Sequence, residues 1–408
     1  MYTSAEKLWN KNFILYAFGY ELATMGSSLL RFAIPIHILI ATGSPALLGT
    51  VLALSWFPYV LFALPSGLLA DRFSKRNIMI VCNIIIMVSI CLYIILIGHL
   101  DPLFASVMAL VLVTVLESIQ VSSSESALYL IVPKDKIMEA NSVTFILMMG
   151  SGIVVPVVAG VMLSHLGLNA IIYVSVFLYI FVILLYWRMK VPFTKPDYSK
   201  GLFPSIGADI KSGFKYIWLE DKVLKRGTVG LFLYALLYFP AENIIPSTLI
   251  YNVLGMGETS IGLSHGIIQI GGVLGVVLIK IFSLKINMTK MTCLLVTASI
   301  AQLLTIVIFM IIPHDLLAFV LVTFGLMVVN TLLTMFGLNY FTYLGQNTPE
   351  EIIGKIMSVA MAIMMLGAVV SQFVVGRLFH FFSYNLERAT IIIPVIIIVV
   401  SLAIQKKA

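Results

Sequence analysis

GLLADRFSKRN, running from Gly67 to Asn77, gathers Asp71, Arg72, Lys75 and Arg76 into eleven residues. The sequence on either side is Leu, Ile, Val, Ala and Met with almost no charge. A short charged gap between two long apolar runs reads as a connection between membrane-spanning helices. The rest of the chain supports this. Of 408 residues, 61% are hydrophobic and 11% are charged, and the mean hydropathy is +1.08. Soluble domains carry about 25% charged residues, so this chain cannot hide its apolar surface in a water-facing fold. Several apolar stretches reach the roughly 20 residues that cross a bilayer core of about 30 Å. They are continuous rather than alternating, which excludes a β-barrel. The expected fold is an all-α polytopic membrane protein.

Twelve spans are expected, near 12–40, 46–70, 77–98, 102–126, 140–164, 169–188, 223–251, 259–282, 290–312, 315–343, 351–379 and 386–404. The segment after Lys11 is too long for a signal-peptide core and reads as the first helix. The connection 189–222 is the longest and divides the chain into bundles 1–188 and 223–408. Of the 25 Lys and Arg, 22 fall in the central loop or in gaps on the side of the N-terminus. Only Arg31, Arg377 and Arg388 do not. Basic residues favour the cytoplasmic face, so both termini and the linker are expected there, in a multi-pass protein of the cytoplasmic membrane. The net charge of +7 follows from this bias and suits anionic lipid headgroups. It does not call for nucleic acid. A monomer is expected.

The halves repeat weakly. VPKDKIMEANSV from Val132 and TPEEIIGKIMSV from Thr348 align at a shift of 216, matching Pro133 with Pro349, Ser142 with Ser358 and Gly160 with Gly376. Two parallel six-helix units fit this shift, and transporters built so place substrate between the halves near the midplane.

Gly67, Asp71, Arg72, Lys75 and Arg76 together resemble the signature loop of the major facilitator superfamily, with Ser74 where the family often has Gly. The resemblance implies a latch that holds the halves together on the cytoplasmic side. The matching region of the second half, 280–290, keeps only basic residues. ADIKSGFKYIW (208–218) and PEEIIGKIMS (349–358) look like the branch containing macrolide efflux proteins and the enterobactin exporter. Read directly, Ile210, Phe214, Ile217 and Trp218 share one helical face. That suits a helix at the membrane interface or one packed on the cytoplasmic helix ends.

No Walker-type phosphate loop, zinc helix or nucleophile elbow is found, so the chain does not read as an enzyme. Cys82, Cys91 and Cys293 lack metal-ligand spacing and read as small packers. Neither a metal nor a cofactor is expected. Transport would then draw on an ion gradient or on the substrate's own gradient.

Charges at bilayer depth cost about 2.5–3.5 kcal/mol each on insertion scales and usually face the interior. Glu21, Arg31, Glu117 and Glu242 lie that deep, with Glu125 nearer the cytoplasmic end of its span. Spans 1, 4, 7 and 10 line the central cavity in the family the chain resembles, and carboxylates there would suit proton coupling or recognition of a cationic group. Arg31 and Glu242 each stand four residues before a Pro in spans 1 and 7. They are expected to meet when the protein opens to the cytoplasm. Tyr20, Phe32, Trp56, Tyr59, Tyr234, Tyr238 and Phe239 are candidates for an apolar cavity wall. Asn243, Gln269, Asn330, Asn339 and Gln372 would add hydrogen bonds.

The resemblance implies a secondary transporter, a proton-coupled antiporter that exports amphipathic, drug-like molecules such as macrolides. Its partners would be a small-molecule substrate, protons and membrane lipids. Three alternatives stay open: a siderophore exporter, a lipid or lysophospholipid flippase without proton coupling, and a non-transporting sensor. The loop 189–222 is too short to hold the soluble domain a sensor would need.

Overall fold

The computed structural model describes residues 8–193, 212–220, 222–281, 288–313, 315–349, 352–382 and 386–406. Side chains at 63–72, 288–290, 403–406 and a few further positions are not described. Every regular element among the described residues is a helix. Among the described residues, ten helices are long and apolar enough to cross a membrane by length and composition. One of them runs two spans together across Gly167, whose φ of 76° and ψ of 177° only glycine adopts readily. Dividing it there, and adding the shorter apolar helix Ile392–Leu402, gives the twelve spans expected.

We label the spans in order. The first six are α1 (Lys11–Thr42), α2 (Pro45–Arg72), α3 (Lys75–Leu96), α4 (Pro102–Ile131), α5 (137–166) and α6 (168–188). The next four are α7 (222–253), α8 (Glu258–Ile281), α9 (Met288–Ile311) and α10 (Leu316–Asn347). The last two are α11 (Ile353–Phe381) and α12 (Ile392–Lys406).

Local chemistry sets the ends. α1 stops at Gly43, at φ 64°, whose amide bonds the Leu39 carbonyl at 2.7 Å; a left-handed glycine closes a helix in this way. Pro45 then opens α2 at the position where a missing N–H does no harm. Asp101 caps α4 by accepting from the Phe104 amide at 2.9 Å, with Pro102 following it. Asp315 does the same for α10 through the Leu317 and Ala318 amides.

Two compact units form. One comprises Met1–Ile34 with Leu61–Ile206, the other Pro35–Val60 with Gly207–Ala408. The C-terminal end of α1 and the first half of α2 thus pack with residues of the second half of the chain. In the first unit, α1 lies against α6 through a matched spacing. A Cβ on Gly19 would stand 2.5 Å from the Tyr186 ring, and one on Gly26 would stand 3.3 Å from the Tyr179 ring. Two glycines seven apart therefore face two tyrosines seven apart, which is two helical turns on each side. Small residues of this kind let membrane helices approach closely. Ser175 adds a bond to the Gly26 carbonyl at 3.2 Å.

In the second unit, Gly271 and Gly275 of α8 lie against the Met327 and Thr331 carbonyls of α10. Large side chains such as Phe18, Tyr173, Phe177 and Trp187 stay exposed, as a lipid-facing surface requires. Of the stretch 208–218, residues 208–211, Ile210 included, lie outside the described residues, and a short helix ahead of α7 is described from 212. Gly213 sits against the Lys355 carbonyl, and Ile217 is fully buried. Phe214 and Leu219 remain exposed. That segment packs on the start of α11.

Candidate functional site

In the first unit α1 and α4 lie side by side and antiparallel. Asn10 donates to the Ile131 carbonyl at 3.1 Å at one end. Farther along, Arg31 Nη2 is bound to Glu117 Oε2. The sequence-based expectation had Arg31 meet Glu242 when the protein opens to the cytoplasm. In the structure each has its partner inside its own unit, because α4 offers a carboxylate at the depth of Arg31. The pair is mostly buried, at 17% and 22% exposure. Removing one member of such a pair leaves an uncompensated charge, at a cost of about 3 kcal/mol, whereas replacing both with apolar residues of similar volume is often close to neutral. Arg31→Met and Glu117→Met should therefore each lower the thermal unfolding midpoint of the purified protein. The double variant should recover most of the loss.

Beside this pair lies a small recess. Tyr20, Thr24, Glu117, Gln120 and Tyr179 supply its polar wall, and Ile86 contributes apolar surface. Tyr20 and Glu117 were expected to line a site. Thr24, Gln120 and Tyr179 were not, although the seven-residue spacing of Gly19–Gly26 and Tyr179–Tyr186 was a readable signal. Glu21 lies within reach of Ser151. Glu125 lies within electrostatic range of Tyr16, which stacks on Tyr20 with ring centroids 6.0 Å apart.

In the second unit α7 breaks. It is helical over Lys222–Glu242, is interrupted at Asn243 (φ −114°, ψ −61°), and resumes as Ile244–Thr248 and Leu249–Val253. Pro246 has no N–H to return to the Glu242 carbonyl. Asn243 bonds the Phe239 carbonyl at 3.1 Å through its side chain, and Ser247 bonds the Asn243 carbonyl at 2.6 Å. The Glu242 carboxylate, at the end of the first segment, accepts from Gln269 Nε2 of α8, and Tyr238 adjoins it. Among the described residues it has no ion pair. One turn before Gln269, His265 bonds the Ile261 carbonyl at 2.9 Å and stands 3.5 Å from the Ser247 hydroxyl. His265 and Ser247 went unremarked in the sequence.

The other candidates divide. Tyr234 stacks between Tyr238 and Phe336, at 5.1 and 5.6 Å, and is 9% exposed, so it belongs to the core. Trp56 packs near Tyr59 and Phe239, at 6.4 and 6.3 Å, within the second unit. Phe32 is half-buried. Asn330 is buried and accepts from Thr334 at 3.1 Å. Asn339 bonds the Met335 carbonyl one turn back at 2.7 Å. Gln372 is fully buried. Of the charged loop, the side chains of Gly67, Asp71 and Arg72 lie outside the described residues, as does most of 280–290. Lys75 opens α3. Arg76 donates to the Tyr186 and Trp187 carbonyls at 3.1 and 2.6 Å. That places a cation on the negative end of α6.

Residues 16–372 match the profile described as Major Facilitator Superfamily. The chain belongs to that superfamily. Like its other members it is a membrane transporter rather than an enzyme. Macrolide efflux protein A of Streptococcus pyogenes is 23% identical over 239 residues, which is 58% of each chain. The present chain thus spans 58% of the length of that relative. A mutant form of the nucleoside transporter NupG superposes with a TM-score of 0.76 at 13% identity, covering 97% of this chain and 99% of its own. A bacterial homologue of the iron transporter ferroportin in an inward-facing state gives 0.73 at 14% identity, covering 98% and 100%. At such identities the likeness establishes the fold. It confirms the twelve-helix major facilitator architecture expected from the sequence.

Proposed function

We propose that this transporter exports amphipathic, drug-like compounds, macrolides among them, in exchange for protons across the cytoplasmic membrane. The bundles 1–188 and 223–408 rock about a central site, with both termini cytoplasmic and the protein acting as a monomer. The observation that carries the reading is Glu242. Glu117 has its charge cancelled by Arg31. Glu242 sits at a helix break, held by the neutral Gln269, with no ion pair among the described residues, and a proton is the counter-charge left to it. Broken helices at membrane depth are where transporters build ion and substrate sites. The macrolide class is carried over from the Streptococcus pyogenes relative.

The test is uptake of a compound panel, macrolides included, into inverted vesicles with and without an imposed pH gradient. Concentrative uptake of at least one amphipathic compound is expected only with the gradient. Uptake that survives collapse of the gradient would refute proton exchange. No uptake of any panel member would refute export of this class.

A further inference from the structure

Resting on the proton-exchange reading, we propose that His265 is a second proton-binding site, a station that holds the incoming proton on the outer side of Glu242 and passes it on. The frame around its ring is the first argument. His265 is 7% exposed, and its Nδ1 stands 2.9 Å from the Ile261 carbonyl of its own helix. Its Nε2 stands 3.5 Å from the Ser247 hydroxyl of α7, and the Asn243 carbonyl is also within reach of the ring. A carbonyl only accepts, and the Ser247 hydroxyl gives its hydrogen to the Asn243 carbonyl at 2.6 Å. Each ring nitrogen therefore faces an oxygen acceptor. A neutral imidazole donates from one nitrogen and an imidazolium from both, so the charged ring uses the whole frame. Hydrogen bonds from a charged donor are also the stronger ones. A protonated His265 thus ties α8 to the break in α7.

Position along α8 is the second argument. Glu258, His265 and Gln269 are spaced i, i+7 and i+11, which puts all three on one face of the helix. In the proposed orientation α8 enters at the outer face and runs inward. Glu258 heads it, within electrostatic range of His37 of α1. His265 follows two turns in, and Gln269, which holds Glu242, lies about 6 Å farther at 1.5 Å per residue. A proton drawn from outside meets these groups in that order.

The surrounding charges fit. α10, which α8 meets through the Ser264–Thr323 hydroxyl pair at 3.0 Å, has no charged residue between 316 and 347. Lys222, Lys225 and Arg226 stand in the first turns of α7, and Lys280 in the last turn of α8. The acid left near the depth of His265 is Glu242, with Tyr238 beside it. On transfer, one proton leaves Nε2 and ends on a Glu242 oxygen. Imidazolium and carboxylate become imidazole and carboxylic acid, and a bridging water would span a gap of about one turn.

The experiment reads the ring directly. A full chain that keeps His265 and has the other five of its six histidines replaced by Gln is labelled with ¹⁵N in the imidazole and placed in nanodiscs. Across about pH 5 to 8 the spectrum should pass in one step from two protonated nitrogens to one. Glu242→Gln in that chain should weaken proton binding by about tenfold or more. A ring that keeps one form throughout, or a titration that ignores Glu242, overturns the station. In inverted vesicles His265→Gln, which can still donate to one carbonyl, should slow gradient-driven uptake about tenfold or more and leave counterflow close to wild type. Gradient-driven uptake at the wild-type rate would also overturn the proposal. The spectrum needs no substrate. If His265 titrates with Glu242 while no compound of the panel is concentrated, the proton site stands and the export reading falls.

Discussion

Glu242→Gln should abolish concentrative transport while leaving exchange intact. Glutamine has nearly the shape of glutamate, and its amide can still meet Gln269 and Tyr238, so α7 should keep its break and the substrate its path. What is lost is the ability to take up and release a proton. With one proton exchanged per substrate, each unit of pH gradient supports about a tenfold concentration ratio, since a tenfold ratio is worth about 1.4 kcal/mol. In inverted vesicles carrying the variant, that ratio should stay near one whatever gradient is imposed. Counterflow, in which preloaded substrate drives entry of labelled substrate, should run at a rate close to wild type. If the variant still concentrates substrate, the carrier is another carboxylate, and Glu21 and Glu125 are next because neither has an ion pair among the described residues. Loss of counterflow as well would give Glu242 a part in binding.

The contrast between Glu242 and Glu117 shows where sequence reading stops. Hydropathy gave the number of spans and their depth. It placed the α5–α6 division within a few residues of Gly167, because a glycine between two apolar runs is a local signal. It gave the depth of each charge as well, since depth is a count of residues along a helix at about 1.5 Å apiece. It could not give azimuth. Helices apolar on nearly every side carry little moment to orient them, and Glu117, 86 residues from Arg31, competes for it on equal terms with Glu242. The repeat of Arg31–Pro35 against Glu242–Pro246 is a match of spacing, and spacing alone does not name a partner. Arg76 teaches a related lesson. Its loop was legible as a charged connection, but the bonds of Arg76 to the carbonyl end of α6 were not. The break in α7 was half legible, since Pro240 and Pro246 announced bending but not that Asn243 would carry it.

Gly49→Leu should force open a helix crossing that the transport cycle has to open. A Cβ on Gly49 would stand 2.5 Å from the Gln372 carbonyl oxygen and 2.9 Å from the Gly376 Cα. One on Gly376 would stand 3.0 Å from both the Gly49 Cα and the Pro45 carbonyl. These neighbours are backbone and cannot swing aside, so α2 and α11 must part. The crossing lies within the second compact unit, in the segment Pro35–Val60 that clusters with C-terminal residues. If the rocking bundles are 1–188 and 223–408, this segment belongs to the first, and its contacts here are ones each cycle breaks. The Tyr251 bond to the Ile40 carbonyl at 3.2 Å and the Asn252 bond to the Gly43 carbonyl at 2.9 Å belong to the same set. Overpacking costs about 1–3 kcal/mol, enough to shift a two-state balance by roughly five- to 150-fold. Ile244 is fully buried, with its Cδ1 3.2 Å from where the Gly49 Cβ would be. In a protein freed of its three cysteines, Ile244→Cys should react with a membrane-impermeant maleimide about ten times faster or more once Gly49 is Leu. Gly271→Ala is the control. Its Cβ would strike the Met327 carbonyl of α10, but α8 and α10 fall in the same proposed bundle. That variant should lose thermal stability without exposing the cysteine. Equal labelling with and without the Gly49 substitution would mean that α2 and α11 stay joined through the cycle, and the division of the moving bodies would have to follow the compact units instead.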